Sequence, residues 1–191
     1  MIDRIFLVSS MTLLLTATFN IQAQTAEEIL NDTTKLQVGE VAPDFTLPDQ
    51  NGKAIHLKQL QGAPVVLYFY PKDFTPGCTR EACDFRDNYE LLRKAGAVVL
   101  GVSPDAPASH GKFIAEHGLP FTLLSDTTHQ TMQNYGAWGL KKQYGREYEG
   151  VIRSTVLIDA DGKIARVWSS VKVDGHVAAV LTEVEKLSKT K

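Results

Sequence analysis

The stretch that most constrains this chain is Val65 to Tyr70, an unbroken apolar run rich in β-branched and aromatic residues and ended by Pro71. A run of that kind, with no polar alternation, is a strand covered on both faces. Four residues after the proline, Thr75-Pro76-Gly77 predicts a helix start, with Thr75 as N-cap and Pro76 at the first helical position. Cys78 then falls in the first turn. There the unpaired backbone N–H groups and the helix dipole favour thiolate over thiol. Cys83 follows five residues later, and these are the 2 cysteines of the chain.

The spacing limits what the two sulfurs can do. Cysteines three apart on an α-helix have Cα atoms about 5 Å apart, within disulfide range. Five apart, the Cα atoms are roughly 8.5 Å from each other and on different faces, beyond the ~7 Å limit. Cys78 and Cys83 therefore cannot bond while the helix is intact. Either they never pair, or the helix unwinds to let them.

The surrounding residues carry a resemblance. Pro71-x-x-x-Thr75-x-x-Cys78 resembles the active-site signature of the peroxiredoxins. The longer string Tyr70-Pro71-Lys72-Asp73-Phe74-Thr75-Pro76-Gly77-Cys78-Thr79-Arg80-Glu81-Ala82-Cys83 is similar to that of the bacterioferritin comigratory protein, or peroxiredoxin Q, group. Gly39-x-x-Ala42-Pro43-Asp44-Phe45 resembles the opening of such chains. Gly101-Val102-Ser103-x-Asp105, His110 with Lys112-Phe113, Leu119-Pro120-Phe121-x-Leu123-Leu124-Ser125-Asp126 and Arg153-Ser154-Thr155-Val156-Leu157-Ile158-Asp159 resemble its later segments. The resemblance runs from about Val38 to the last helix.

Composition removes several classes. The 191 residues suffice for one domain with a sizeable core. With 43% hydrophobic and 22% charged residues, the chain is neither disordered nor membrane-embedded. The formal net charge is -2 and no basic cluster occurs, so neither nucleic acid nor an anionic membrane is an expected partner. Two cysteines are too few for a disulfide scaffold. The 5 histidines (His56, His110, His117, His129, His176) show no metal-ligand spacing, so no metal is expected.

Residues 1–23 read as a secretory signal: Arg4, an apolar stretch from Ile5 to Phe19, and a predicted cut after Ala23. The mature protein is then expected outside the cytoplasm, in the periplasm, and free of the membrane. Residues 24–37 read as a linker and 38–191 as the folded domain. Asp49-Gln50-Asn51-Gly52 predicts a hairpin between Phe45–Leu47 and Ala54–Leu57. After Pro71, one helix is expected over 76–94, stopped by Gly96, then a strand over Ala97–Val102 and a helix over Pro107–His117 closed by Gly118. A short strand at Thr122–Leu124 and a short helix at Thr128–Tyr135 come next. Residues 136–150, rich in Gly, Lys and Tyr, read as a surface loop. Val151–Ile158 and Lys163–Val167 read as strands joined by Asp159-Ala160-Asp161-Gly162, and Val177–Leu187 as a closing helix. This order is an α/β fold. The resemblance implies the thioredoxin-like version, a central mixed sheet flanked by helices with an N-terminal β-hairpin added.

The resemblance also implies a thiol-dependent peroxidase. Cys78 would attack a hydroperoxide substrate and become a sulfenic acid. Arg153 would lie beside it, holding the thiolate and a peroxide oxygen with a charge it cannot lose. The Thr75 hydroxyl would accept a hydrogen bond from the peroxide or donate one to the thiolate, and Pro71 would shape and screen the pocket. Cys83 would then form a disulfide with Cys78, reduced by a thioredoxin or similar dithiol protein. No haem, flavin or metal is implied, and a monomer is expected. A free thiol is only about 3% ionised at pH 7, so full ionisation gains at most about 30-fold. Enzymes typically gain about 10⁶-fold or more, so orientation and charge stabilisation must supply the bulk.

Arg80, Glu81 and Arg86 either form a solvated helix face or brace Arg153. Trp138 and Trp168 read as packing residues. Two other readings remain at this stage. A thiol–disulfide oxidoreductase would place its cysteines three apart, and a secreted domain with a structural disulfide would close a very small loop across a distorted helix.

Overall fold

The computed structural model describes residues 36–189, Tyr144 excepted. The expected signal at 1–23 and nearly all of the expected linker lie outside the described residues. In chain order the elements are β1 (Thr46–Pro48), β2 (Ala54–His56), a 3₁₀ turn (Leu57–Leu60), β3 (Val65–Phe69), α1 (Pro76–Asp87), α2 (Tyr89–Lys94), β4 (Val98–Ser103), α3 (Pro107–His117), β5 (Thr122–Ser125), α4 (Gln130–Asn134), β6 (Trp138–Gln143), β7 (Arg146–Val151), β8 (Ser154–Ile158), β9 (Ile164–Trp168) and α5 (His176–Lys189).

Five strands form the main sheet in the order β5-β4-β3-β8-β9. β3 pairs parallel with β4 and antiparallel with β8, so the apolar run is the centre of a mixed sheet. All five of its residues are buried. Its side chains alternate as the pleat requires. Val65, Leu67 and Phe69 join one core with Leu100, Val102, Met132 and Val156. Val66, Tyr68 and Tyr70 join the other with Phe85 of α1, Phe113 of α3 and Val180 of α5. This is the mixed, helix-flanked sheet of a thioredoxin-like fold. β1 and β2 pair as a separate antiparallel hairpin. Its turn is tied by Asp49, whose carboxylate accepts from the N–H groups of Asn51 at 2.7 Å and Lys53 at 2.9 Å.

Three expectations fail for local reasons. The helix expected over 76–94 breaks at Asn88, whose φ of -100° and ψ of 3° leave the helical region. The Asn88 side-chain amide donates to the Asp84 carbonyl at 2.9 Å, the same carbonyl its own N–H reaches at 3.2 Å. Such side-chain competition for a backbone acceptor is the usual reason asparagine ends helices. The loop expected over 136–150 is instead the β6–β7 hairpin, paired from Trp138↔Val151 to Gln143↔Arg146. The single strand expected over 151–158 is interrupted at Ile152 and Arg153. There the Ile152 N–H bonds the Ala137 carbonyl at 2.8 Å, and the Arg153 carbonyl accepts from Val171 at 2.9 Å. That interruption lets Arg153 leave the sheet and turn toward α1.

Gly101 of β4 lies directly opposite Tyr68 of β3. A Cβ on Gly101 would sit 2.6 Å from both Tyr68 Cζ and Leu123 Cδ2. The glycine thus makes room for the phenol, whose ring stacks on Phe85 at 4.6 Å between centroids. Gly101→Ala is expected to cost about 1–3 kcal/mol through overpacking. Urea unfolding checks this; an unchanged midpoint would mean that the ring shifts freely.

Candidate active site

Pro71 and the residues after it leave the C-terminal end of β3 and pass into α1. Their position is set by Asp73, which is only 3% exposed. Its carboxylate accepts from Tyr70 Oη at 2.8 Å and Ser109 Oγ at 2.7 Å, and faces His110 Nδ1 at 3.0 Å. His110 Nε2 faces the Leu124 carbonyl at 3.2 Å. The Asp73 N–H donates to Asp105, which also holds Ser103 Oγ. Burial opposes the charge on Asp73, but the bonds from His110, Ser109 and Tyr70 hold its carboxyl below the usual range. This anchor is absent from the sequence reading. Its signal was there: an aspartate between an apolar strand and a helix start needs several donors if buried.

Thr75 occupies the N-cap position with extended backbone, and Pro76 is the first helical residue. Both positions are as expected, but the Thr75 hydroxyl makes no bond to the helix N–H groups. Thr75 Oγ1 donates its proton to the Lys72 carbonyl at 3.0 Å. A hydroxyl has one proton, so toward the site this oxygen is an acceptor and is not free to donate to a thiolate. The first helical bond runs from the Thr79 N–H to the Thr75 carbonyl at 2.9 Å. The N–H groups of Gly77 and Cys78 therefore precede the helical ladder.

Cys78 is 2% exposed, and Cys83 on the same helix is half-buried; both are free thiols. With α1 intact, their spacing of about 8.5 Å between Cα atoms rules out a bond. Arg153 reaches Cys78 from the other side, its Nη2 donating to Sγ at 3.2 Å. Its Nη1 donates to Glu81 Oε2. Glu81 lies three residues after Cys78, on the same helix face. Of the three charged helix residues left open by the sequence, only Glu81 braces Arg153. Arg80 pairs with Asp174, and Arg86 with Asp87 and the His117 carbonyl. Burial would lower the Arg153 pKa, but Glu81 and Cys78 outweigh it and raise it. His176 is pushed down to about 4 by burial and by Arg153, so it is neutral and adds no second cation. It bonds Thr155 at 2.7 Å.

The Glu81 side chain is fully buried, and its Oε1 has no partner among the described residues. Burial pushes the carboxyl up to about 7, against the pull of Arg153. Between its ordinary value and 7 the folded protein therefore holds a proton that the unfolded chain has lost. Linkage makes this contribution present at low pH and lost as pH rises through 7. Thermal unfolding of the wild type and Glu81→Gln between pH 5 and pH 8 tests it. The wild type should lose ground to the variant as pH rises; a constant difference would show that Glu81 does not titrate in this window.

The arrangement thus puts a cation on the sulfur of Cys78 in the first turn of α1, three residues after a threonine whose oxygen is left as an acceptor. The family described as AhpC/TSA matches residues 38–167. Peroxiredoxin Bcp of Bacillus subtilis is 47% identical over 153 residues, 80% of this chain and 98% of that one. Peroxiredoxin Bcp of Escherichia coli is 48% identical over 146 residues, covering 76% and 94%. A solved structure of the Xanthomonas campestris bacterioferritin comigratory protein, from work on its alkyl peroxide reduction activity, superposes with a TM-score of 0.75 at 36% identity over 81% of this chain and 99% of that one. This chain belongs to the AhpC/TSA family, within the peroxiredoxins that include the Bcp and Q proteins.

Proposed function

We infer that the protein is a thiol-dependent peroxidase that reduces hydrogen peroxide and organic hydroperoxides. The observation that carries the reading is the 3.2 Å contact between Arg153 Nη2 and Cys78 Sγ at the start of α1. Cys78 as thiolate attacks the terminal peroxide oxygen. The O–O bond breaks, its electron pair leaves with the distal oxygen, and that oxygen takes a proton to become water or an alcohol. Cys78 keeps the transferred oxygen as a sulfenic acid. Arg153 and the N–H groups at the helix start face the charge that develops on oxygen, and the acceptor oxygen of Thr75 orients the peroxide O–H. Pro71, half-buried beside the site, limits water. These groups come from one chain, so the chemistry asks for no second copy.

The Cys83 thiolate then attacks Cys78 Sγ, expels the hydroxyl as water after protonation, and leaves a disulfide. Geometry requires α1 to unwind between the two cysteines first. Each released helical bond is worth about 1 kcal/mol net, so the cost is a few such units. Phe85 sets the far limit. It is fully buried, stacked on Tyr68 and packed near Phe121. A thioredoxin-like dithiol protein reduces the disulfide and restores the helix.

We further read the chain as an exported protein. The family match begins at residue 38, after the residues read as leader and linker. That is what a leader and linker ahead of the catalytic domain would produce.

Two tests follow. Cys78→Ser should abolish peroxide consumption with dithiothreitol, because a hydroxyl is almost never ionised at neutral pH. Without added thiol, Cys83→Ser should consume one equivalent and stop with a sulfenic acid on Cys78, read by mass spectrometry. Oxidised wild type should show faster hydrogen exchange over about residues 76–85. A sulfenic acid on Cys83 reverses the assignment, and equal exchange in the two redox forms removes the unwinding step. For location, N-terminal sequencing from the native host should start at Gln24; an intact Met1 on a soluble cytoplasmic protein would refute export.

A further inference from the structure

Phe74 stands in the loop between β3 and α1 with 44% of its surface exposed and a φ of 60°. Both features run against its chemistry. A bulky L-residue in the left-handed region is strained, and strain of this kind persists only where neighbouring structure imposes it. Here Asp73 on one side is buried in its hydrogen-bond network, and Thr75 on the other is fixed as the N-cap. The ring stands edge-on to Phe113 at 5.1 Å between centroids and lies 6.3 Å from the His117 ring. Phe113 is fully buried, so Phe74 carries the apolar core out to the surface.

The same edge of α3 leads to Cys83. The His117 carbonyl accepts from Arg86 Nη1 at 2.9 Å. Arg86 is three residues beyond Cys83 on one face of α1. Cys83 is half-buried whereas Cys78 is 2% exposed. Lys72, two residues before Phe74, and Lys112, beside Phe113, are exposed, and neither has a carboxylate within ion-pair distance among the described residues.

We propose that Phe74, with His117 and Arg86 beside it and Lys72 and Lys112 around it, is the surface on which the dithiol protein reductant docks. The partner it fits is a small dithiol protein with an apolar rim bearing carboxylates around its thiol. The proposal rests on the peroxidase reading for its partner. Because Asp73 anchors the loop from outside α1, the ring keeps its place when the helix unwinds, and the platform survives in the oxidised form that needs it. The docked protein's thiolate attacks Cys83 Sγ. The Cys78–Cys83 bond breaks, Cys78 leaves as a thiolate to return to Arg153, and a mixed disulfide forms on Cys83. The partner's second thiol, as thiolate, then attacks its own sulfur in that bond, releasing the Cys83 thiolate, which takes up a proton, and leaving the partner oxidised.

The test uses the full chain with its disulfide formed by diamide, so it does not depend on peroxide chemistry. Phe74→Asn removes the ring while tolerating the left-handed backbone. Reduction by a bacterial thioredoxin should slow about tenfold, the loss expected for an anchoring aromatic. Reduction by dithiothreitol should stay within about twofold, since a small thiol needs no platform. Lys72→Glu with Lys112→Glu should slow the thioredoxin reaction further at low salt, with the difference shrinking at high salt. An unchanged thioredoxin rate in Phe74→Asn overturns the proposal. So does an equal fall with both reductants, which would place the effect in the disulfide itself. Failure of the separate peroxide-consumption assay would instead strike the peroxidase reading.

Discussion

The contact from Arg153 to the Cys78 sulfur sets terms that much of the molecule meets. A guanidinium taken largely out of water is costly unless its donors are used. Cys78 takes one and Glu81 another, and Glu81 is itself buried. The sheet break at Ile152–Arg153 belongs to the same requirement, since Arg153 in a continuous strand would have its backbone tied to the ladder. Instead its carbonyl is held by Val171, and the side chain is free to turn onto α1. His176 follows the same logic. A neutral imidazole near Arg153 spares the site a second positive charge.

The site needs both rigidity and release, and the structure assigns them to different segments. The loop from Pro71 to Thr75 is bonded to α3 and β4 through Asp73 and Asp105, neither of which lies in α1. The acceptor oxygen of Thr75 and the start of the helix are therefore held independently of what happens further along α1. The release segment lies between the cysteines. Of its contacts, the Arg80–Asp174 pair is exposed and contributes little. The Glu81–Arg153 pair is buried, and ionisation near 7 adjusts it. Beyond it, Phe85 and the Asn88 break confine unwinding, so opening the turn between the cysteines leaves α2 in place.

How much of this could be read from residues alone depends on how local the cause was. The central strand was legible because an all-apolar run has few alternatives. The helix start was legible because Thr-Pro states it in two residues. Arg153 came only through resemblance: spacing alone could not bring it to a cysteine 75 positions earlier. The β6–β7 hairpin was missed because its described side chains are mostly exposed or half-buried, Val151 excepted; Leu140 is 72% exposed. The break at Asn88 was missed because a single side-chain bond to Asp84 decides it. Thr75 stands at the N-cap as its sequence indicates, but the acceptor its hydroxyl chooses, the Lys72 carbonyl, is one that no pattern reveals.

That choice of acceptor bears on the chemistry. A Thr75 hydroxyl donating to the thiolate would stabilise the ground state and make the sulfur less nucleophilic. Donating to Lys72 instead, it leaves the sulfur to Arg153 and offers its lone pairs to the peroxide O–H. Ionising the thiol accounts for at most about 30-fold. The remaining rate must come from groups that act on the peroxide rather than on the sulfur. On the proposed peroxidase reading, Thr75 as an acceptor and Arg153 as a donor would bind opposite ends of the same O–O unit, one at the O–H and one where charge develops. Two such contacts orient the bond toward Sγ, which neither could do alone. On the proposed peroxidase reading, the direction of one hydroxyl proton, set by the Lys72 carbonyl, therefore belongs with the contacts that would direct a peroxide onto Cys78.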